Sequence, residues 1–258
     1  QLGWENSSLL VGQTWDIISP LYPTVNGDTL MWNAGNLGDR RVQLRYTYEP
    51  QSGLSLRAGL GLTGAVDNQD ADGNGVRDGE ASTMPNLQGR FGYHAPDGRV
   101  RAGVWGHYAQ LETDALFGGV KDFNSYSFGG DYEIRFHPAI SLKGELWKGS
   151  NLSDFRGGIG QSFNTATGEE IGSRGGWVEL GLRASRYAFS TGYTIDDPEN
   201  EDLLPRARTK NRAWYVTNQF RLALPVLLGL DYLYWKTNFK GREEGIDNRV
   251  NIYFIYNF

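Results

Sequence analysis

Apolar and polar residues alternate one by one along most of this chain, and this alternation limits the folds available to it. Between Arg41 and Tyr48, four apolar or aromatic residues alternate with four polar ones. Successive side chains of a strand point to opposite faces, so a period of two predicts strands that are apolar on one face only. About twelve such segments of roughly 8 to 12 residues follow one another. The last ten residues, RVNIYFIYNF, form the final segment.

The composition agrees with strands of this kind and excludes a helical membrane protein. Aromatic residues make up 13% of the 258 residues, yet charged residues make up 21%. No apolar run approaches the ~20 residues that a membrane-spanning helix needs. The net charge of −5 gives no reason to expect nucleic acid as a partner.

The connections between the segments are alternately short and long, which favours a membrane barrel over a soluble sandwich. The short ones read EPQSG, APDG, HPA, SR and ALP, and the long polar ones include 64–85, 150–175 and 196–211. An outer-membrane barrel has tight periplasmic turns at one end and long extracellular loops at the other, whereas a sandwich has no reason to sort them. We therefore predict one all-β domain, residues 1–258, folded as a transmembrane antiparallel up-and-down β-barrel.

The segment LLVGQTWDIISPLYP, from Leu9 to Pro23, resembles the trimeric porins of Gram-negative bacteria, most closely the DcaP-like group. In that resemblance the strand runs into a long loop that folds back into the pore, here residues 15–39, and a strand carrying RRVQLRY follows. The terminal Phe258 resembles the signal read by the barrel-insertion machinery. The resemblance implies a homotrimer in the bacterial outer membrane, in contact with lipid and lipopolysaccharide, that passes small hydrophilic solutes such as dicarboxylates by diffusion.

The position of this motif leaves two strand counts open. In such porins it lies near the fifth of sixteen strands, whereas here it opens the chain. The chain is therefore either a closed barrel of about 12 strands or the last 12 strands of a 16-strand porin. Unpaired strand edges in lipid are unfavourable by several kcal/mol per polar group, so the second arrangement would take four strands from elsewhere.

If the apolar stripes face lipid, the inward faces carry more basic than acidic side chains. A positively charged constriction concentrates anions, and the planar fork of arginine binds carboxylates bidentately. We predict a diffusion channel, without catalytic residues, that prefers anions such as small (di)carboxylates. The predicted pore-lining basic residues are Arg41, Arg45, Arg57, Arg90, Arg101, Arg135, Arg183 and Arg221, and the pore-loop acids that would face them are Asp16, Asp28 and Asp39.

The long extracellular loop at 64–85 contains DNQDADGNGVRDGEAS, in which oxygen-bearing residues have the spacing of an EF-hand-type calcium loop. Gly75 stands at the sixth position, where that loop turns sharply. Ala81 occupies the twelfth position, usually an acid, and Glu80 lies one residue earlier. The alternative is a solvated acidic loop. We predict a structural Ca²⁺ site with the ligands Asp70, Asp72, Asn74, Val76 (through its carbonyl), Asp78 and Glu80.

Two other functions are compatible with a barrel of about twelve strands. A phospholipase-like hydrolase would need a histidine beside a serine on the outer wall. His94 and His107 fall on inward faces instead, and His137 lies in a predicted periplasmic turn. An autotransporter-type translocator would carry a long helix through its pore, and no such helix is visible before Ser8. The sequence therefore favours a porin, which is not an enzyme.

Overall fold

The strands of a computed structural model form one antiparallel sheet in which each strand pairs with its neighbours in sequence. The structure describes residues 1–26 and 29–256, so Asp28 and Phe258 lie outside the described residues. Twelve long strands and the two-residue β1 confirm the predicted up-and-down fold. The strands are β1 (Leu2–Gly3), β2 (Ser7–Trp15), β3 (Arg40–Tyr48), β4 (Leu54–Gly61), β5 (Asn86–His94), β6 (Val100–Thr113), β7 (Lys121–His137), β8 (Ile140–Ser150), β9 (Gly172–Arg183), β10 (Tyr187–Pro198), β11 (Arg208–Ala223), β12 (Val226–Phe239) and β13 (Arg242–Tyr256).

Helices are short and lie in the connections. The α-helix α1 spans Asp78–Ala81, and 3₁₀ turns lie at Ser153–Phe155, Gly158–Gly160 and Asn200–Asp202. Within residues 1–26 and 29–256, no helix is long and apolar enough to cross a membrane.

The two faces of the sheet have the polarity that the alternation predicts. On β3, Val42 and Leu44 are 49% and 41% exposed, whereas Arg41 and Gln43, which alternate with them, are 1% and 4% exposed. The same division recurs on other strands, where outer residues such as Phe128 of β7 are exposed and apolar. An apolar outer face and a polar inner face are the arrangement of a barrel that meets lipid outside and water inside.

The connection 16–39 lies against the inner face, and its contacts require the sheet to curve. The backbone of Gly35 lies so close to Ile195 of β10 that a Cβ on Gly35 would lie 2.7 Å from the Ile195 carbonyl oxygen. In a flat sheet, β3 and β10 would be about 34 Å apart, because neighbouring strands are spaced by about 4.8 Å. Gly35 is only five residues before Arg40, the first residue of β3, and five residues span at most about 16–18 Å even when fully extended. The sheet therefore curves around the connection as a barrel wall does.

The connections are sorted between the two ends of the sheet, with one exception. The turn end carries 49–53, 95–99, 138–139, 184–186 and 224–225, and the long-loop end carries 16–39, 62–85, 114–120, 151–171 and 199–207. Only residues 240–241 join β12 to β13 at the long-loop end, which departs from the predicted alternation. Gly241 has a φ of 72°, a conformation that glycine adopts without strain and that suits a tight hairpin.

Candidate pore and its lining

The inner wall holds the connection 16–39, called the pore loop below, through carboxylates on three strands. The alternation of the strands places these acids on the inward face, but nothing in the sequence marks them as anchors of the loop. Charge-assisted hydrogen bonds of this kind are among the stronger ones in proteins. The backbone N–H groups of Leu21, Thr24 and Asn26 donate to Glu145, Glu179 and Asp231 at 2.8, 2.5 and 2.7 Å.

Apolar side chains fix the remainder of the pore loop inside the barrel. Met31 is completely buried against Ala213, Tyr215 and Leu233 of β11 and β12. Farther along the loop, the indole N–H of Trp147 donates to the Gly35 carbonyl at 2.7 Å. The pore loop therefore packs against the wall over much of its described length.

Asp16 and Asp39, the described acids of the pore loop, close its neck instead of facing the arginines across the lumen. Asp16 and Asp39 stand at the two ends of the loop: the Asp16 N–H donates to the Asp39 carbonyl at 2.9 Å, and the Asp39 N–H donates to the Asp16 carboxylate at 3.0 Å. Asp39 also pairs with Arg156 at 2.7 Å. This differs from the prediction that Asp16 and Asp39 face the pore-lining arginines, because both carboxylates are engaged at the junction of the loop with the wall.

Arg41 is the centre of this junction and does not line the open pore. Its side chain is 0% exposed, and its five N–H groups all find acceptors. Two go to Asp16, at 2.6 and 3.0 Å, and one goes to the Asp154 carboxylate at 2.7 Å. The remaining two go to the carbonyls of Asp154 and Leu62 at 2.8 and 3.1 Å. Arg41 thereby joins the pore loop to the connections 62–85 and 151–171.

Three of the predicted arginines face inward and are paired with acids of the wall. Arg90 holds Asp131 with two parallel hydrogen bonds at 2.7 and 2.9 Å. Arg101 and Arg135 share Glu133, at 3.5 and 3.0 Å. Two cations on one carboxylate leave a local excess of positive charge.

The other predicted arginines are less closely paired with acids. Arg57 pairs with Glu49 at the turn end, where both side chains are partly exposed. Arg45 donates to the Gln43 amide oxygen and to the Trp15 carbonyl, which are neutral. Across the described part of the chain, Arg45, Arg183 and Arg221 have no carboxylate within ion-pair distance.

Two cavities on the inner side of the wall are lined by several basic side chains. One of about 270 Å³ is lined by Arg57, Arg90 and Arg101, with Glu49 as its acid. The other, of about 470 Å³, lies between the pore loop and the turn end. Its charged lining consists of Arg135, Lys143 and Arg183 with Glu133 and Glu179. In both cavities basic side chains outnumber acidic ones.

Solved structures share this arrangement of strands, although no family model and no curated protein matches the chain. The outer membrane channel DcaP of Acinetobacter baumannii superposes with a TM-score of 0.82 at 14% identity, over 97% of this chain and 71% of that one. The anion-selective porin from Comamonas acidovorans gives 0.62 at 13% identity, over 97% and 74%. OmpT, an outer membrane protein of Vibrio cholerae, gives 0.59 at 12%, over 97% and 76%. The fold is that of the outer-membrane porins. The resemblance to DcaP-like porins and the transmembrane barrel predicted from the sequence are confirmed at the level of the fold.

Within this porin fold, His107 lies in a sealed environment under the connection 151–171. Its ring nitrogens contact the hydroxyls of Ser127 and Ser125 at 2.6 and 3.1 Å, and the Phe155 ring packs against it, tilted by 33°, with the ring centroids 3.8 Å apart. The histidine and both serines are buried. A hydrolase would need its nucleophile open to substrate on the outer wall, and this cluster is closed and faces inward.

The connection 62–85 of the porin fold brings three of the six predicted calcium ligands together. Carboxylate oxygens of Asp70, Asp72 and Asp78 all lie within 4.8 Å of one another. The amide oxygen of Asn74 instead accepts the Val76 N–H at 2.7 Å.

Glu80, the predicted substitute for the missing twelfth ligand, is engaged elsewhere. Its exposed carboxylate pairs with Arg77, three residues earlier, and does not belong to the cluster of three aspartates. The Arg77 charge accordingly holds the pKa of Glu80 below its usual value, mainly through this hydrogen bond. Arg77 therefore competes with any ion for this side chain.

Proposed function

We propose that this protein is a porin of the bacterial outer membrane, a passive diffusion channel for small hydrophilic solutes that prefers small organic anions. The observation that carries the preference is the charge of the two cavities in the inner wall. Their basic groups outnumber their acids, and the larger cavity lies between the pore loop and the turn end. A water-filled passage of this charge attracts anions and repels cations.

The engagement of the inward acids strengthens this preference. Glu145, Glu179 and Asp231 accept hydrogen bonds from the pore loop, so their negative charge is partly balanced by the amide dipoles of that loop. Glu133 is shared by two arginines. The field in the open space is therefore set mainly by cations without carboxylate partners, such as Arg183.

Arginine also selects among anions, because its planar fork makes two parallel hydrogen bonds to one carboxylate. Arg90 already shows this geometry with Asp131 inside the wall. Solutes carrying one or two carboxylates are therefore the substrate class we propose. The anion selectivity stated for the Comamonas porin supports the same choice.

We further propose that the protein assembles as a homotrimer with its apolar outer face in lipid and lipopolysaccharide. A trimer form is stated for OmpT of Vibrio cholerae, at a TM-score of 0.57 and 12% identity, over 97% of this chain and 76% of that one. Mass measurement of the purified protein in detergent would distinguish a trimer from a monomer.

Reversal potentials across a salt gradient in planar bilayers test the selectivity. We expect the wild type to have the sign of an anion-selective channel. Arg57→Gln and Arg183→Gln should each move the reversal potential toward zero, because each removes one cation from the lumen. Arg174→Gln is the matched control: it removes an arginine on the outer face of β9, where the side chain is 71% exposed.

The control variant should leave the reversal potential unchanged, whereas a nonspecific effect of net charge would shift all three variants alike. Cation preference in the wild type would overturn the proposal. Competition by a dicarboxylate against chloride current, absent with a neutral sugar of similar size, would support the proposed solute class.

A further inference from the structure

We propose that the connection 62–85 binds one calcium ion through Asp70, Asp72 and Asp78, and that the ion fixes this connection against the neighbouring one at 114–120. The proposal does not depend on which solute the pore passes. It rests on a group of carboxylates, on one buried oxygen among them that has no partner, and on the backbone around them.

The spacing of the three carboxylates fits a single calcium ion. Calcium binds oxygen at about 2.3–2.6 Å, so two oxygens on opposite sides of one ion are about 4.6–5.2 Å apart and all others are closer. The oxygens of Asp70, Asp72 and Asp78 lie within 4.8 Å of one another. Three negative charges at this distance repel one another unless a cation lies between them.

The second observation is Asp78, which is only 1% exposed. One of its carboxylate oxygens accepts the Ala71 N–H at 3.0 Å, whereas the other, Oδ2, is buried and has no hydrogen-bond partner. A buried carboxylate oxygen without a partner is unfavourable by at least about 1–3 kcal/mol. Because this carboxylate faces Asp70 and Asp72, an ion bound between the three would supply the missing interaction.

The backbone holds the first two aspartates in place before any ion binds. Asp70 accepts the N–H groups of Asn74 and Gly75, at 3.1 and 3.0 Å. Gly75 has a φ of 87°, which a residue with a Cβ adopts only with strain, and so permits the tight return of the chain. The Val76 carbonyl, at the seventh position of the motif, is the backbone ligand we assign, and water would complete the six to eight oxygens.

Asp72 extends the effect of the ion to the next connection. Its second oxygen accepts the N–H groups of Asp114 and Ala115 at 2.6 and 3.3 Å, and the Asn74 amide donates to Asp114 at 2.7 Å. An ion on Asp72 would therefore fix 62–85 and 114–120 relative to each other. Magnesium fits less well, because it requires near-octahedral geometry and retains its water.

Calorimetric titration of the chelator-treated, lipopolysaccharide-free protein with calcium chloride tests the site. We expect one ion per chain with a Kd of about 10⁻⁴–10⁻³ M, the range of extracellular modules, and at least tenfold weaker binding of magnesium. Asp78→Asn keeps the shape of the side chain and should weaken calcium binding at least tenfold. Asp97→Asn, which removes an exposed aspartate at the turn end, should bind as the wild type does.

Trypsin cleavage after Arg77 gives a second readout that needs no variant. Calcium should slow this cleavage several-fold in the wild type, and magnesium at the same concentration should not. If Asp78→Asn does not fold, Asp72→Asn replaces it in the titration. Absence of both heat and protection at 10 mM calcium, equal binding by wild type and Asp78→Asn, or binding only when lipopolysaccharide is added would each overturn the proposal.

Discussion

Replacing Arg41 by methionine should destabilise the protein more than replacing any other inward-facing arginine. Methionine has a similar length but leaves two buried carboxylates, those of Asp16 and Asp154, without their cation. Breaking a buried ion pair by removing one partner typically lowers stability by about 3–5 kcal/mol. That loss corresponds to roughly a 10²- to 10⁴-fold change in the unfolding equilibrium.

The matched control is Arg57→Met, which removes a pair that makes similar contact in a solvated place. Arg57 and Glu49 are also 2.7 Å apart, but their side chains are 29% and 51% exposed. Exposed pairs contribute about 0–1 kcal/mol. Urea unfolding of each variant in lipid vesicles, followed by tryptophan fluorescence, gives the two free energies of unfolding, and we expect them to differ by at least about 2 kcal/mol.

A double variant separates the uncompensated charge from lost packing. Adding Asp154→Asn to Arg41→Met removes one of the two unpaired charges, so the double variant should lose less stability than the sum of the single losses. The Phe155 ring, 4.2 Å from the guanidinium carbon, would still lose its cation in both variants. Equal stability of Arg41→Met and Arg57→Met would show that Arg41 is not the ionic centre of this junction. So would a double variant whose loss in free energy of unfolding equals the sum of the two single losses.

Two further predictions concern the loops around this centre. Burial is the main cause that raises the pKa of Asp67 from 3.8 to about 6, and the charges of Asp154 and Asp78 add to the rise. The Ser153 hydroxyl and the Arg41 charge lower this pKa, but by less. The folded state therefore binds this proton more tightly than the unfolded state does. As the pH rises from about 4 to 6, the free energy of unfolding should fall by about 3 kcal/mol because of this group. Asp67→Asn should remove that part of the pH dependence in urea unfolding at pH 4 and 7, and an unchanged dependence would refute it. Glu179→Gln should weaken the hold on the pore loop by about 1.5–3 kcal/mol and raise single-channel current noise. Glu133→Gln, which removes an acid that holds no part of the pore loop, should leave the noise unchanged, and equal noise in both variants would count against the anchoring role.

The strands could be predicted from the sequence because their pattern is local and repeated. A shift of one residue in register would turn every side chain of a strand to the wrong face, so lipid on one side and water on the other impose the alternation on each strand. The calcium motif is visible for the same reason, since its ligands lie within nine residues. The hairpin at 240–241 was missed because its turn is only Lys240 and Gly241 within continuous alternation.

The roles of the inward charges could not be read in this way, because they depend on contacts between distant residues. Arg41 and Arg45 have the same place in the alternation of β3, yet one is fully buried and the other is partly exposed. The difference comes from Asp154, more than a hundred residues away in a connection without any pattern.

The selectivity of the pore depends on which inward charges remain without a partner. Glu179 and Arg183 both lie on β9, and a simple count of inward charges would let them cancel each other. Their surroundings differ, however. Glu179 accepts from Thr24 and Tyr215 and lies 3.3 Å from Lys143, whereas Arg183 is near the turn end. A carboxylate surrounded by donors contributes little field to the open passage, whereas the field of an unpaired cation is reduced only by water and salt. Removing Arg183 should therefore change the reversal potential more than removing Arg41, although both are inward arginines.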